Sequence, residues 1–72
     1  MVLIYKTSVR YKKQVKLIEP SLDALLAPQG DWNFDLQDCN RILRLETPDA
    51  LVPKKVVKLL DSHGFECLEL QD

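Results

Sequence analysis

Val2 to Val9 mixes β-branched, aromatic and apolar side chains with no Gly or Pro, the composition of a first strand. Beyond Arg10-Tyr11 the spacing changes. Val15, Ile18, Leu22 and Leu25 or Leu26 recur every three to four residues, which is one face of a helix. Pro20 falls inside that pattern, and an interior proline removes a backbone donor and clashes with the preceding turn at about 3 kcal/mol. A kink or break is therefore expected near Lys16 to Glu19. Pro28-Gln29-Gly30 ends the segment, after which Trp32, Phe34 and Leu36 alternate with Asp31, Asn33, Asp35 and Gln37 as a half-buried second strand. Asp38-Cys39-Asn40 has the small polar character of a tight turn, and Ile42 to Leu45 returns as the third strand. Thr47-Pro48-Asp49 breaks it. Pro53 then opens a helix with Val56, Val57, Leu59 and Leu60 at helical spacing, and Gly64 stops that helix. Phe65 to Leu70 is left as a short edge strand, where Glu66 and Glu69 discourage edge-to-edge association.

The order strand, helix, strand, strand, helix, strand predicts one α+β domain over residues 1–72. It is the ferredoxin-like βαββαβ sandwich, a four-stranded antiparallel sheet with two helices on one face. Right-handed crossovers leave the other face open. Three connections then share one end of the sheet: the loop at Arg10-Tyr11, the turn at Cys39 and the segment after Gly64. Should Val2 and Ile4 face the helices, Leu3 and Tyr5 lie on the open face with Ile42 and Arg44, a patch suited to weak homodimerisation.

Composition narrows the function classes. The chain is 46% hydrophobic and 29% charged, which argues for a globular domain rather than a disordered or disulfide-scaffolded one. Ten Lys and Arg against eleven Asp and Glu give a net charge of −1, so no overall field favours nucleic acid or an anionic membrane, and neither is expected as a partner. The longest apolar run, Met1 to Tyr5, is far below the roughly 20 residues of a membrane span. A cytoplasmic protein with Cys39 and Cys67 as reduced thiols is expected.

The sequence also resembles the heavy-metal-associated domain of copper chaperones and metal-pumping ATPases. Pro53-Lys54-Lys55-Val56-Val57-Lys58-Leu59-Leu60-Asp61-Ser62-His63-Gly64-Phe65 is similar to that family's second helix and its Gly-aromatic ending. Ser8-Val9-Arg10-Tyr11-Lys12-Lys13-Gln14-Val15 falls over the family's Gly-Met-Thr-Cys-x-x-Cys-Val metal loop. The resemblance implies the fold, and a loop that faces a docking partner. It does not bring the family's metal chemistry, because the two ligand cysteines fall on Tyr11 and Gln14, and neither phenol nor amide replaces the thiolates that select Cu(I). Val9, at the family's Met position, is placed to plug the core beneath the loop.

Few residues remain for chemistry. Cys39, His63 and Cys67 are the conventional soft or borderline ligands, all near the same end, and would serve copper or zinc in an alternative metal-handling reading. Cys39 and Cys67 should, however, lie roughly 10 Å or more apart across the intervening strands, and the favoured reading is packed or surface thiols with a solvated histidine. No phosphate loop, nucleophile elbow or metalloprotease helix is present, so no enzyme and no cofactor are expected. Asp31 and Asp35 decorate the polar face of a strand, while Trp32, Phe34 and Leu36 are expected in the core. Arg10, Lys12, Lys13 and Lys16 place four cations within seven residues at a helix start, where the macrodipole opposes them. With Tyr11 they form the candidate docking surface for an acidic protein or small anion. The expected function is a non-enzymatic interaction module with a degenerate metal loop; a small-molecule sensor that dimerises through its sheet is a third class.

Overall fold

Six elements follow one another in the computed structural model, which describes residues 1–70: β1 (Val2–Thr7), α1 (Lys12–Leu26), β2 (Asp31–Asp35), β3 (Ile42–Glu46), α2 (Val52–Ser62) and β4 (Cys67–Glu69). The strands form one antiparallel sheet in the order β2-β3-β1-β4, the expected ferredoxin-like α+β arrangement.

Strand register decides which side chains lie under the helices. Tyr5 pairs with Leu43 and Leu3 with Leu45. Leu43 and Leu45 are fully buried, and residues directly opposite share a face, so Leu3, Tyr5 and Thr7 turn inward. The placement of Leu3 and Tyr5 on a dimerising open face is thereby corrected. That face instead carries Val2, Ile4, Ile42 and Leu68 among Lys6, Arg44 and Glu46. Trp32 pairs with Leu45 and Phe34 with Leu43, which brings both aromatic rings to the helix side.

The expected interruption of the first helix is also absent. α1 runs from Lys12 to Leu26 with Pro20 inside it. Lys16, whose carbonyl loses its helical donor to Pro20, is exposed, as is the proline itself. On the opposite side Ile18, Leu22 and Leu26 are buried. Three such side chains at about 1.5–3 kcal/mol each outweigh the roughly 3 kcal/mol that an interior proline costs.

α2 buries Val52, Pro53, Val56 and Leu60. Its entry is shaped by side chains of the preceding loop: the Asp49 N–H donates to Thr47 Oγ1 at 3.1 Å and the Leu51 N–H to Asp49 Oδ1 at 2.9 Å. Its exit fulfils the Gly64 expectation. Gly64 adopts φ +80°, its N–H donates to the Asp61 carbonyl and that of Phe65 to the Leu60 carbonyl, both at 2.9 Å. This is a Schellman closure, which needs a left-handed residue at Gly64. β4 consequently begins later than the expected Phe65. The Phe65 N–H is still closing the helix, and the Glu66 N–H donates to Ser8 Oγ.

Candidate functional site

The three connections do meet where β1 ends. Thr7 holds the β2–β3 turn, its N–H donating to the Asn40 carbonyl at 3.1 Å and its hydroxyl to the Arg41 carbonyl at 2.6 Å. Ser8 holds the approach to β4: its N–H donates to the Glu66 carbonyl at 3.3 Å, and its Oγ accepts the Glu66 N–H at 2.8 Å. Arg41 braces the turn from inside by donating to the Leu36 carbonyl. Val9 is fully buried directly after these ties, the plug expected of it. Neither Thr7 nor Ser8 is legible in the sequence, since two hydroxyls at a strand end carry no signal until their partners are known.

On this base the loop into α1 closes on itself. Gln14 Oε1 accepts the backbone N–H of Arg10 at 2.8 Å and of Tyr11 at 3.0 Å. The Tyr11 ring is 57% exposed, and Lys13 Nζ lies 5.8 Å from its centroid, within cation–π range. Arg10, Lys12, Lys13 and Lys16 are all exposed, and the first turn of α1 contains no acidic side chain. A cluster of positive charge thus stands on the positive end of the helix dipole.

The five candidate residues divide over two surfaces. Lys12 and Lys16 share a helical stripe with Val15 and Glu19, and this stripe forms one wall of a groove of about 440 Å³ along β2. Half-buried Trp32, Phe34 and Leu36 line it from the sheet side. Trp32 and Phe34 pack edge to face, their centroids 6.0 Å apart, and Trp32 Nε1 donates to Asp23 Oδ1 at 2.8 Å. The three apolar residues expected in the core therefore do pack against it, but each keeps a solvent-facing side. The i, i+3, i+4, i+7 spacing of Lys12, Val15, Lys16 and Glu19 is the sequence signal for this mixed wall. Arg10, Tyr11 and Lys13 do not line the groove.

Asp31 and Asp35 are exposed, as expected, and serve the backbone. Asp31 Oδ1 accepts the Trp32 N–H, and Asp35 Oδ1 accepts those of Gln37 and Asp38.

The soft ligands are dispersed. Cys39 is exposed in the turn after β2, His63 is exposed at the end of α2, and Cys67 is half-buried opposite Thr7. Among the described residues, no group of three or more His, Cys, Asp or Glu is placed to hold a metal ion. Nor do the residues over the family's metal loop fit copper, since the Gln14 oxygen is occupied by two backbone donors and Tyr11 offers a phenol.

Burial pushes the Cys67 thiol up to about 11, and raises Tyr5 above its ordinary value, with Glu69 and then Cys67 adding to the latter shift. Both groups hold their protons more tightly folded than unfolded. The Cys67 contribution to stability is therefore complete below about pH 9 and is lost as pH rises toward 11, and that of Tyr5 is likewise lost on the alkaline side. At pH 8 Cys67 is therefore held almost wholly as the unreactive thiol. Limited alkylation of the native chain at that pH should accordingly label exposed Cys39 first, with Cys67 reacting on unfolding. Equal labelling of both by mass spectrometry would contradict this burial.

Among the described residues, no helix is long and apolar enough to cross a membrane. Compared with family models, with characterised proteins and with solved structures, the chain matches none.

Proposed function

We propose that the chain is a non-enzymatic interaction module, built like a heavy-metal-associated domain in which a side-chain hydrogen bond replaces the metal at the first loop. Its docking surface is the exposed set Arg10, Tyr11, Lys12, Lys13 and Lys16, and its partner is an acidic protein surface. The observation that carries this reading is the exposure of four cations and a tyrosine within seven residues at a helix N-terminus with no acid in its first turn. Local stability does not account for those of the first turn, since a cation there opposes the dipole by some 0.3–1 kcal/mol. The Gln14 bonds support the same reading, because they hold the loop in shape without a metal.

The test compares immobilised parent chain with the Lys12→Glu/Lys13→Glu double variant as baits in cell extract at low salt. Both positions are exposed, so the fold is expected to persist and is checked by circular dichroism. Acidic proteins retained by the parent and lost from the variant are the expected result. Retention of the same proteins by both baits would assign the cluster to solubility alone.

A further inference from the structure

The groove between α1 and β2 points to a more specific partner. We propose that it receives an extended acidic peptide, which adds to the free edge of β2, sets apolar side chains on Trp32 and Phe34, and sets a carboxylate between Lys12 and Lys16. The inference rests on the acidic-partner reading above and names the form that the partner takes.

The first support is the edge itself. β2 is the terminal strand of the sheet and, among the described residues, pairs only with β3. The Trp32 N–H is held by Asp31 Oδ1 rather than by β3, which places it on the outer side. The two-residue alternation of an antiparallel strand then puts the Phe34 N–H and carbonyl on that side as well. An added strand would take the Phe34 groups directly and the Trp32 N–H after the Asp31 carboxylate swings away. Strand addition supplies main-chain bonds for affinity, and alternate side chains for specificity.

The second support is that the side-chain row beside this edge suits such a strand. Residues i and i+2 of a strand lie on one side, so Trp32 and Phe34 present two neighbouring aromatic surfaces, with Val15 opposite. Charge then orients the guest. α1 runs antiparallel to β2, so Lys12 and Lys16 flank the end near Leu36, while Glu19 and the Trp32-bonded Asp23 flank the other. Both lysines thus stand at the Leu36 mouth and both helix acids at the other; Asp35 also lines the Leu36 mouth, but its Oδ1 already accepts the Gln37 and Asp38 N–H groups, so a guest carboxylate meets the lysines there and the peptide carries its acidic residue toward Leu36. The grooves beside β4 lack this polarity, Lys54, Lys58, Asp61, Glu66 and Glu69 being mixed along them.

A displayed library of random dodecapeptides is selected against the immobilised chain at low salt, and the most enriched sequence is synthesised and titrated into 15N-labelled protein. Enrichment of Asp or Glu together with alternating β-branched or aromatic residues is expected, with shifts at Trp32 Nε1 and at the Phe34 and Leu36 amides. Lys12→Glu/Lys16→Glu should weaken binding at least tenfold, and N-methylation of alternate peptide bonds should abolish it in one of the two phases. Binding lost in Arg10→Glu/Lys13→Glu but kept in Lys12→Glu/Lys16→Glu, with the Trp32 and Phe34 signals unmoved, would overturn the groove while leaving the basic loop as the docking surface. A library without acidic enrichment would overturn both, and insensitivity to N-methylation in both phases would overturn strand addition.

Discussion

Replacing Tyr11 and Gln14 together by cysteine is expected to give the chain a tight Cu(I) site. The two residues stand at the cap and third position of α1, three apart, and frame the loop whose backbone Gln14 now holds. Thiolates there would be favoured by the helix N-terminus and by the adjacent Lys12 and Lys13, both of which lower a cysteine's proton affinity. The soft pair suits Cu(I) where phenol and amide do not, and a gain of at least ~1,000-fold in affinity, about 4 kcal/mol, is expected. Competition against a Cu(I) chelator under reducing conditions measures it. Loss of copper from the double variant as readily as from the parent would mean that this loop does not have the geometry of the resembled family. Copper retained by the parent, and lost on Cys39→Ser or Cys67→Ser, would instead favour the alternative ligands.

The second large effect falls on stability. Leu43 is fully buried at the centre of the inner face, between Tyr5 on β1 and Phe34 on β2. Leu43→Ala removes its transfer energy and leaves a cavity between two strands that cannot collapse independently, at about 2–5 kcal/mol. A domain of 72 residues has only about 4–11 kcal/mol in total, at ~0.05–0.15 kcal/mol per residue. The variant should therefore unfold at markedly lower urea concentration, or be largely unfolded without denaturant. Leu17→Ala is the control. Leu17 is 67% exposed on α1, and its loss should change stability by no more than about 0.5 kcal/mol. Equal effects at the two positions would contradict the packing described.

The elements that the sequence announces are those whose signal is local. Trp32, Phe34 and Leu36 alternate with acids and amides, so one strand face is marked without reference to anything else. Gly64 follows a helical run and can supply the left-handed turn that the closure at Leu60 and Asp61 requires. β1 carries no such mark, because Val2 and Ile4 are as apolar as Leu3 and Tyr5. Only pairing with buried Leu43 and Leu45 settles its parity. Pro20 misleads for a related reason: its cost is local and visible, whereas the burial of Ile18, Leu22 and Leu26 that offsets it depends on the sheet.

The candidate surface divides in the same way. Arg10, Lys12, Lys13 and Lys16 are legible as a charge cluster in the chain itself. The partition of Lys12 and Lys16 into a groove with Trp32 and Phe34 is not, because it requires α1 to lie along β2. Gln14 is a further case. A glutamine at that position reads as a missing ligand, and its role in closing the loop emerges only once the Arg10 and Tyr11 amides turn toward it.

Docking through the basic end is tested most directly by the rate at which a captured acidic partner associates with the parent and with Lys12→Glu/Lys13→Glu as salt is raised. Opposed charges accelerate encounter, and salt screens them over about 8–10 Å near physiological strength. At low salt the variant should associate about tenfold or more slowly, and the two rates should converge as salt approaches 1 M, where screening reaches within about 3 Å. Rates that coincide at every salt concentration would contradict the account.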